Sequence, residues 1–350
     1  MPMSETRPKP PVMPQPTWNK NRMREILHAC AGKTILVVGD VGVDRYTLGT
    51  VERISPEAPV PVVSVEHEQL KLGLAANVAD NIRALGGRPC LVGVVGRDRS
   101  AQDFRALLKS QKIAGSYLIT DPTRRTVVKE RIVSERQQLL RVDYESVHPV
   151  AKEIESAILK KVRESISQAD VLILQDYAKG MLSEGLAKAI FSIAKTAGKV
   201  VAVDPNAKTP VHFYRGAYVL TPNTREAEWL AGIPIVDEAS LTRAGREILK
   251  KTAARHVVIT RGKEGMAIFS SGTTSARLIP TYVREVYDVS GAGDTVISVL
   301  ALAQAAGATI EEASILGNLA AGVEVGKRGT ATVTPDEVLV ALEFFGAIPV

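Results

Sequence analysis

Residues 35–40 read Ile-Leu-Val-Val-Gly-Asp, an aliphatic run that stops abruptly on a glycine and an acid. Five later stretches repeat the pattern: LVGVVGRD ending at Asp98, VLILQDY ending at Tyr177, VVAVDPN ending at Asn206, YVLTPN ending at Asn223 and HVVITRG ending at Gly262. Each is continuously apolar rather than alternating, the mark of a strand covered on both faces. Helix-length segments separate them. In residues 184–198, Leu186, Ile190, Ile193 and Ala194 share one helical stripe and Gly198 supplies a stop. The expectation is an α/β fold, a doubly wound and mostly parallel sheet with helices on both faces, its ligands lying outside the carboxyl ends of the strands.

Two segments break this rhythm. Residues 46–66 and 125–143 lack helical periodicity and are rich in Val, Ile and Thr between charges, which predicts a small separate β-sheet acting as a lid, a dimer contact or both. The first 16 residues hold six of the 19 prolines, so residues 1–20 are expected to be a flexible tail and 21–350 a single domain. Two cysteines, Cys30 and Cys90, exclude a disulfide framework and a thiol zinc cluster, and a reducing cytoplasm is the expected compartment. The formal charge is +6, yet the densest basic group in the sequence, Lys160, Lys161 and Arg163, sits among Glu155, Glu164 and apolar residues and reads as a solvated helix face. Neither a nucleic-acid nor a membrane partner is expected.

Common nucleotide and metal signatures fail. Gly32-Lys33-Thr34 precedes a strand and lacks the upstream glycine of a phosphate loop, Gly39 and Gly42 do not make G-x-G-x-x-G, and five histidines show no ligand spacing. The strong local signal is Asp288-Val289-Ser290-Gly291-Ala292-Gly293-Asp294-Thr295, followed by a long apolar helix to about Gly307. Small residues at 290–293 let backbone N–H groups converge at a helix N-terminus, an anion hole. Asp294, in the first turn, is placed to take a proton from a hydroxyl attacking a phosphoryl group. A capping aspartate gives the same octet, so the octet alone leaves both roles open.

The octet resembles the second signature of the ribokinase (PfkB) family of carbohydrate kinases, and Lys71-Leu72-Gly73-Leu74-Ala75-Ala76-Asn77-Val78-Ala79 resembles the first. Between them, Thr221-Pro222-Asn223-Thr224-Arg225-Glu226 resembles the family's N-x-x-E element. The resemblance covers about residues 33–340. Narrower features (Val38-Gly39-Asp40, Asp44-Arg45-Tyr46, Arg53 to Pro61, Gln137 to Asp143 and Asp176 to Gly180) resemble the branch acting on D-glycero-β-D-manno-heptose 7-phosphate. Many of its members carry a fused adenylyltransferase with an H-x-G-H type motif; this sequence has none, so a kinase-only form is expected.

The resemblance implies a ribokinase-like fold and a catalytic centre at Asp294 with the amides of Gly291, Ala292 and Gly293. It implies sugar contacts from Asp44 and Asn77 beside Gly73, with Asp40 and Asp176 assisting, and 7-phosphate contacts from Arg141 and Lys179, with Arg45 third. ATP contacts fall to Asn223, Glu226, Thr260, Gly262, Ser290, Gly291, Gly293 and Asn318. Magnesium falls to Asn223 and Glu226 through water, and a monovalent cation, potassium, to Asp288. A sugar phosphate and ATP are the expected partners, with a homodimer through the lid strands. In one place the chain departs from the family: Leu74 stands where a second glycine is usual, at the wall of the sugar site.

Overall fold

The computed structural model describes residues 19–113, 117–134, 137–283, 286–327 and 329–346. Its strands are β1 (Thr34–Gly39), β2 (Val41–Ile54), β3 (Pro61–Leu74), β4 (Arg88–Val95), β5 (Leu118–Thr120), β6 (Val127–Ser134), β7 (Gln137–Tyr144), β8 (Val171–Gln175), β9 (Val200–Asp204), β10 (Val219–Leu220), β11 (His256–Thr260), β12 (Met266–Ser270) and β13 (Arg277–Ile279). Its helices are α1 (Lys20–Ala29), α2 (Ala75–Ala84), α3 (Arg99–Ser110), α4 (Lys152–Ser165), α5 (Glu184–Thr196), α6 (Thr224–Ala231), α7 (Glu238–Thr252), α8 (Ala292–Ala305), α9 (Ile310–Glu324) and α10 (Pro335–Gly346).

All six apolar runs become strands of one sheet ordered β13-β12-β11-β10-β9-β8-β1-β4-β5. From β5 through β11 the neighbours are parallel; β12 and β13 close one edge antiparallel. Strand alternation sends Ile35 and Val37 into one core, with α1, α2, α3, α8, α9 and α10, and Leu36 and Val38 into the other, with α4 to α7. Because β4 lies on one side of β1 and β8 on the other, the chain reverses its winding there and opens a crevice at their carboxyl ends.

The lid is a four-stranded sheet ordered β3-β2-β6-β7, with β2 and β6 parallel between two antiparallel partners. It is longer than the segments expected at 46–66 and 125–143, because each half is a hairpin: Val41 to Leu74, and Val127 to Tyr144. The first hairpin leaves directly from the end of β1 and returns at the start of α2, so it rises over the crevice. Residues 1–18 of the expected tail lie outside the described residues. Asn19 and Lys20 depart from that expectation, since the Asn19 side chain accepts from the amides of Asn21 and Arg22 and caps α1. Among the described residues no helix is long and apolar enough to cross a membrane.

Candidate active site

Gly291 adopts φ 101°, a left-handed conformation that starts α8 and sets Ala292, Gly293 and Asp294 in its first turn. A Cβ on Gly293 would meet nothing within 4 Å, so there is open space beside this turn, where it lines a cavity. Behind Gly291 a Cβ would fall 3.1 Å from Glu324 Oε1 and 3.4 Å from Asn77 Nδ2, so only glycine fits there. Ser290 donates its amide to Asp288 Oδ1 at 2.9 Å, which curls the approach to the helix.

Asp294 is buried beneath this cradle. Its Oδ2 accepts from Asn77 Nδ2 at 2.7 Å, and its Oδ1 from the Tyr177 hydroxyl at 2.5 Å and Gln175 Nε2 at 3.1 Å. Burial pushes its carboxyl up to about 6, against the pull of those hydrogen bonds and of the Lys129 ammonium. At neutral pH the group is therefore ionised and oriented, with lone pairs left to accept a proton. Gln175 also bonds Asp204 Oδ2 at 2.6 Å, and burial beside Glu226 and Asp294 drives the Asp204 carboxyl well up.

Across from Asp294, the lid turns one face to the crevice. Period-two alternation and strand register put Lys71, Asp44, Lys129 and Asp143 in one row, and Gln69, Tyr46, Arg131 and Arg141 in the next. Arg131 donates to Asp44 Oδ1 at 2.8 Å, and Lys129 stands 5.2 Å from the Tyr177 ring centroid. Burial lowers the Lys129 ammonium below its ordinary value, while Asp44 and Asp294 pull the other way. Gly73 lets Asp44 lie close: a Cβ there would sit 3.1 Å from its Oδ2.

Several expected contacts take other positions. Arg45 follows Asp44 on β2 and so occupies the opposite face, where it pairs with Glu130 at 3.9 Å rather than facing the crevice. Asp40 is not presented to a sugar. Its carboxylate accepts the amides of Tyr177, Lys179 and Met181 at 3.3, 3.0 and 3.3 Å, and burial raises it to about 6. Asp176 likewise accepts from the Ala178 amide and the Tyr214 hydroxyl, each at 2.7 Å. These two acids shape the 177–181 turn that presents Tyr177 and Lys179. Arg141 is held by Asp143 through two bonds of 2.8 and 2.6 Å, and Lys179 by Glu145 at 2.5 Å, both within the cation group formed with Lys129 and Arg131. Leu74 has φ 58°, a conformation that suits glycine, and its side chain is buried against the Gly42 position.

Thr260, Gly262, Ala292, Gly293 and Asn318 share the lining of a cavity of about 420 Å³ whose other walls include Val289, Val296 and Val325. Its size and apolar walls suit a purine with its phosphates running toward the α8 amides. Asn318 donates to the Pro280 carbonyl at 2.6 Å and so fixes one wall. Asn223 and Glu226 form a capping box at the start of α6, with bonds of 3.0 and 2.9 Å, which leaves Glu226 Oε1 without a capping bond. A carboxylate oxygen is a fitting magnesium donor, directly or through water. Glu324 Oε1 and Oε2 and Thr330 Oγ1 are buried beside the cradle, oxygen donors of the kind a monovalent cation or ordered water uses.

Sequence reasoning missed Lys129, Arg131, Tyr177, Gln175 and Glu324. The spacing Lys129-x-Arg131 on a predicted lid strand was the available signal, because alternate residues share a face.

Known proteins bear on this arrangement. The bifunctional protein HldE of Paramagnetospirillum magneticum is 41% identical over 311 residues, covering 89% of this chain and 63% of its own length. That of Desulfatibacillum aliphaticivorans is 43% identical over 309 residues, covering 88% and 63%. The chain thus spans a little under two thirds of the length of these curated relatives. Phosphofructokinase-2 from Escherichia coli, solved in complex with potassium, superposes with a TM-score of 0.76 at 18% identity, over 90% of this chain and 99% of that one, which speaks to fold. The profile of the pfkB family carbohydrate kinases matches residues 33–337. A match that runs from just before β1 into α10, taking in the cradle, the cavity and the lid together, makes the chain a member of the pfkB family of carbohydrate kinases.

Proposed function

We propose that this chain is an ATP-dependent kinase that phosphorylates D-glycero-β-D-manno-heptose 7-phosphate at O1, giving the 1,7-bisphosphate for ADP-heptose and lipopolysaccharide inner-core synthesis. The observation that carries this reading is the placement of Asp294. It is a buried, oriented carboxylate below an open amide cradle, with a row of lid cations opposite. The sugar lies between Asp294, Asn77 and Asp44, and its 7-phosphate meets Lys129, Arg131, Arg141 and Lys179, where fixed positive charge is densest.

When bound, ATP supplies the γ-phosphoryl group and magnesium screens its charge. Asp294 Oδ2 accepts the O1 proton as the new O1–P bond forms and the bond to the departing ADP oxygen breaks. The amides of Gly291, Ala292 and Gly293 receive the charge on the transferring group. Glu226 and Asn223 would hold magnesium through water, and Asp288 a potassium ion. The lid excludes water over the crevice. Two free cysteines support a reducing, cytoplasmic setting. Exposed Ile54, Val65 and Leu140 on the lid strands support a homodimer through them, which sedimentation velocity would detect.

The test is a coupled ATPase assay with heptose 7-phosphate, unphosphorylated heptose, ribose and fructose 1-phosphate. The proposal expects heptose 7-phosphate to have the highest kcat/KM by at least tenfold. Preference for an unphosphorylated sugar would overturn it, and so would tight sugar binding with no ADP release.

A further inference from the structure

A concavity of about 1250 Å³ lies far from the crevice. It is lined at the amino ends of β9, β10 and β11 and by the exit of β12, the edge of the sheet opposite Asp294. Five-residue strands separate the two ends by roughly 16 Å. Lys195, Lys199, Arg215, Arg246, Lys250 and Arg255 line it, and no Asp or Glu does. The chain carries 44 basic against 38 acidic residues, so an unselected lining would contain both signs.

None of the six makes an ion pair among the described residues. Glu247, next to Arg246 on α7, pairs with Lys251 instead. Lys195 and Lys250 lie in the last turns of α5 and α7, where a cation complements the helix dipole, and need no ligand. The other four lie outside those last turns. Arg246 is earlier on α7, while Lys199, Arg215 and Arg255 sit in the turns entering β9, β10 and β11. The turns before three neighbouring strands thus each place a cation at one concavity. The floor is fixed: Tyr218 stacks edge-on to His256 at 5.2 Å, His256 bonds Ser270 Oγ at 2.8 Å, and the Arg255 guanidinium lies 6.0 Å from the Tyr218 ring. Ser271 and Thr274 add hydroxyl groups to the lining.

Six unpaired cations around a hollow repel one another, and a ligand with several negative charges relieves that cost. The concave shape, bounded by an aromatic ring, favours a compact ligand over an extended polymer. We propose that this pocket is a second binding site, separate from the catalytic crevice, for a small molecule carrying two or more phosphate groups, such as a nucleotide's phosphate chain or a sugar bisphosphate.

Equilibrium dialysis of the full chain with labelled tripolyphosphate at 150 mM salt tests this. The crevice is expected to bind this probe too, so two sites are expected in the wild type. Arg246→Ala with Arg255→Ala should weaken one of them by about tenfold or more per charge removed, leaving the other and the kcat unchanged. Lys160→Ala with Lys161→Ala, a basic pair outside the pocket, should change neither site. Equal binding by the wild type and the Arg246/Arg255 variant would overturn the proposal. So would equal weakening by the Lys160/Lys161 pair, which would mark nonspecific attraction, or tighter capture of a short DNA duplex than of tripolyphosphate at the same salt.

Discussion

As the proposed base, Asp294 faces two requirements that pull against each other. It has to be buried, so that a proton taken from a sugar hydroxyl is not exchanged with water, and it has to stay ionised at working pH. Burial alone would protonate it; the donors Asn77 and Tyr177 and the nearby Lys129 bring it back to about 6. Replacing Asp294 by Asn should lower kcat by about 10²–10⁴ while sugar phosphate binding survives, as measured by steady-state kinetics and direct titration. Tyr177→Phe makes a finer prediction. Its hydroxyl stabilises the charged form, so losing it should raise the Asp294 pKa and move the acid limb of the kcat/KM profile from about pH 6 to higher pH. An unmoved limb would remove Tyr177 from this role.

At the scale of elements, the proposed mechanism divides the labour between lid and sheet: α8 with the ends of β8 and β9 would bring the base and the anion cradle, and the lid the cations. Lys129→Met should therefore raise KM for heptose 7-phosphate by about tenfold or more, and clearly less for an unphosphorylated analogue, which feels only the change at Asp294. Equal effects on the two substrates would show that the ammonium does not read the phosphate. The main strands were legible because a strand buried on both faces leaves a continuous apolar run, and the helix starts because caps and glycines are local chemistry. The lid was only half legible. Its strands carry polar residues on both faces, so the pattern marked their presence but neither their ends nor which face meets the crevice, and Arg45 was placed with Asp44 although alternation separates them. Asp40 and Asp176 sit at strand ends where ligands collect, yet backbone amides claim their oxygens, a long-range outcome that no local spacing encodes. Leu74 takes a left-handed φ of 58°, a strain of about 1–3 kcal/mol that nothing in the local sequence announces.

Across the whole molecule, charge is distributed more unevenly than the +6 total implies. The lid gathers cations over the crevice, and the opposite edge of the sheet gathers six more from segments scattered between Lys195 and Arg255. Buried acids set the pH response of the ligand-free fold. Burial raises the Glu324 carboxyl from 4.5 to about 8, against the pull of the Ala331 amide. The unfolded chain loses that proton near 4.5 and the folded chain near 8, so between them the folded state binds more protons and stability falls as pH rises. Asp40 and Asp294 act the same way up to about 6, while His256, lowered to about 4, acts oppositely below 6.5. Between pH 6.5 and 8 Glu324 is the group among these four that still titrates. Thermal unfolding of the ligand-free protein should lose stability across that interval, and Glu324→Gln should flatten the loss; an unchanged slope would contradict the assignment.

The central claim is that the crevice joins a base at Asp294 to a lid that holds a phosphate already on the sugar. The most direct measurement is phosphorus NMR of the product formed from ATP and heptose 7-phosphate. The account predicts a new phosphate signal coupled to the anomeric proton, with the 7-phosphate signal retained. A phosphate on any other carbon, or ADP formed with no new sugar phosphate signal, would contradict it.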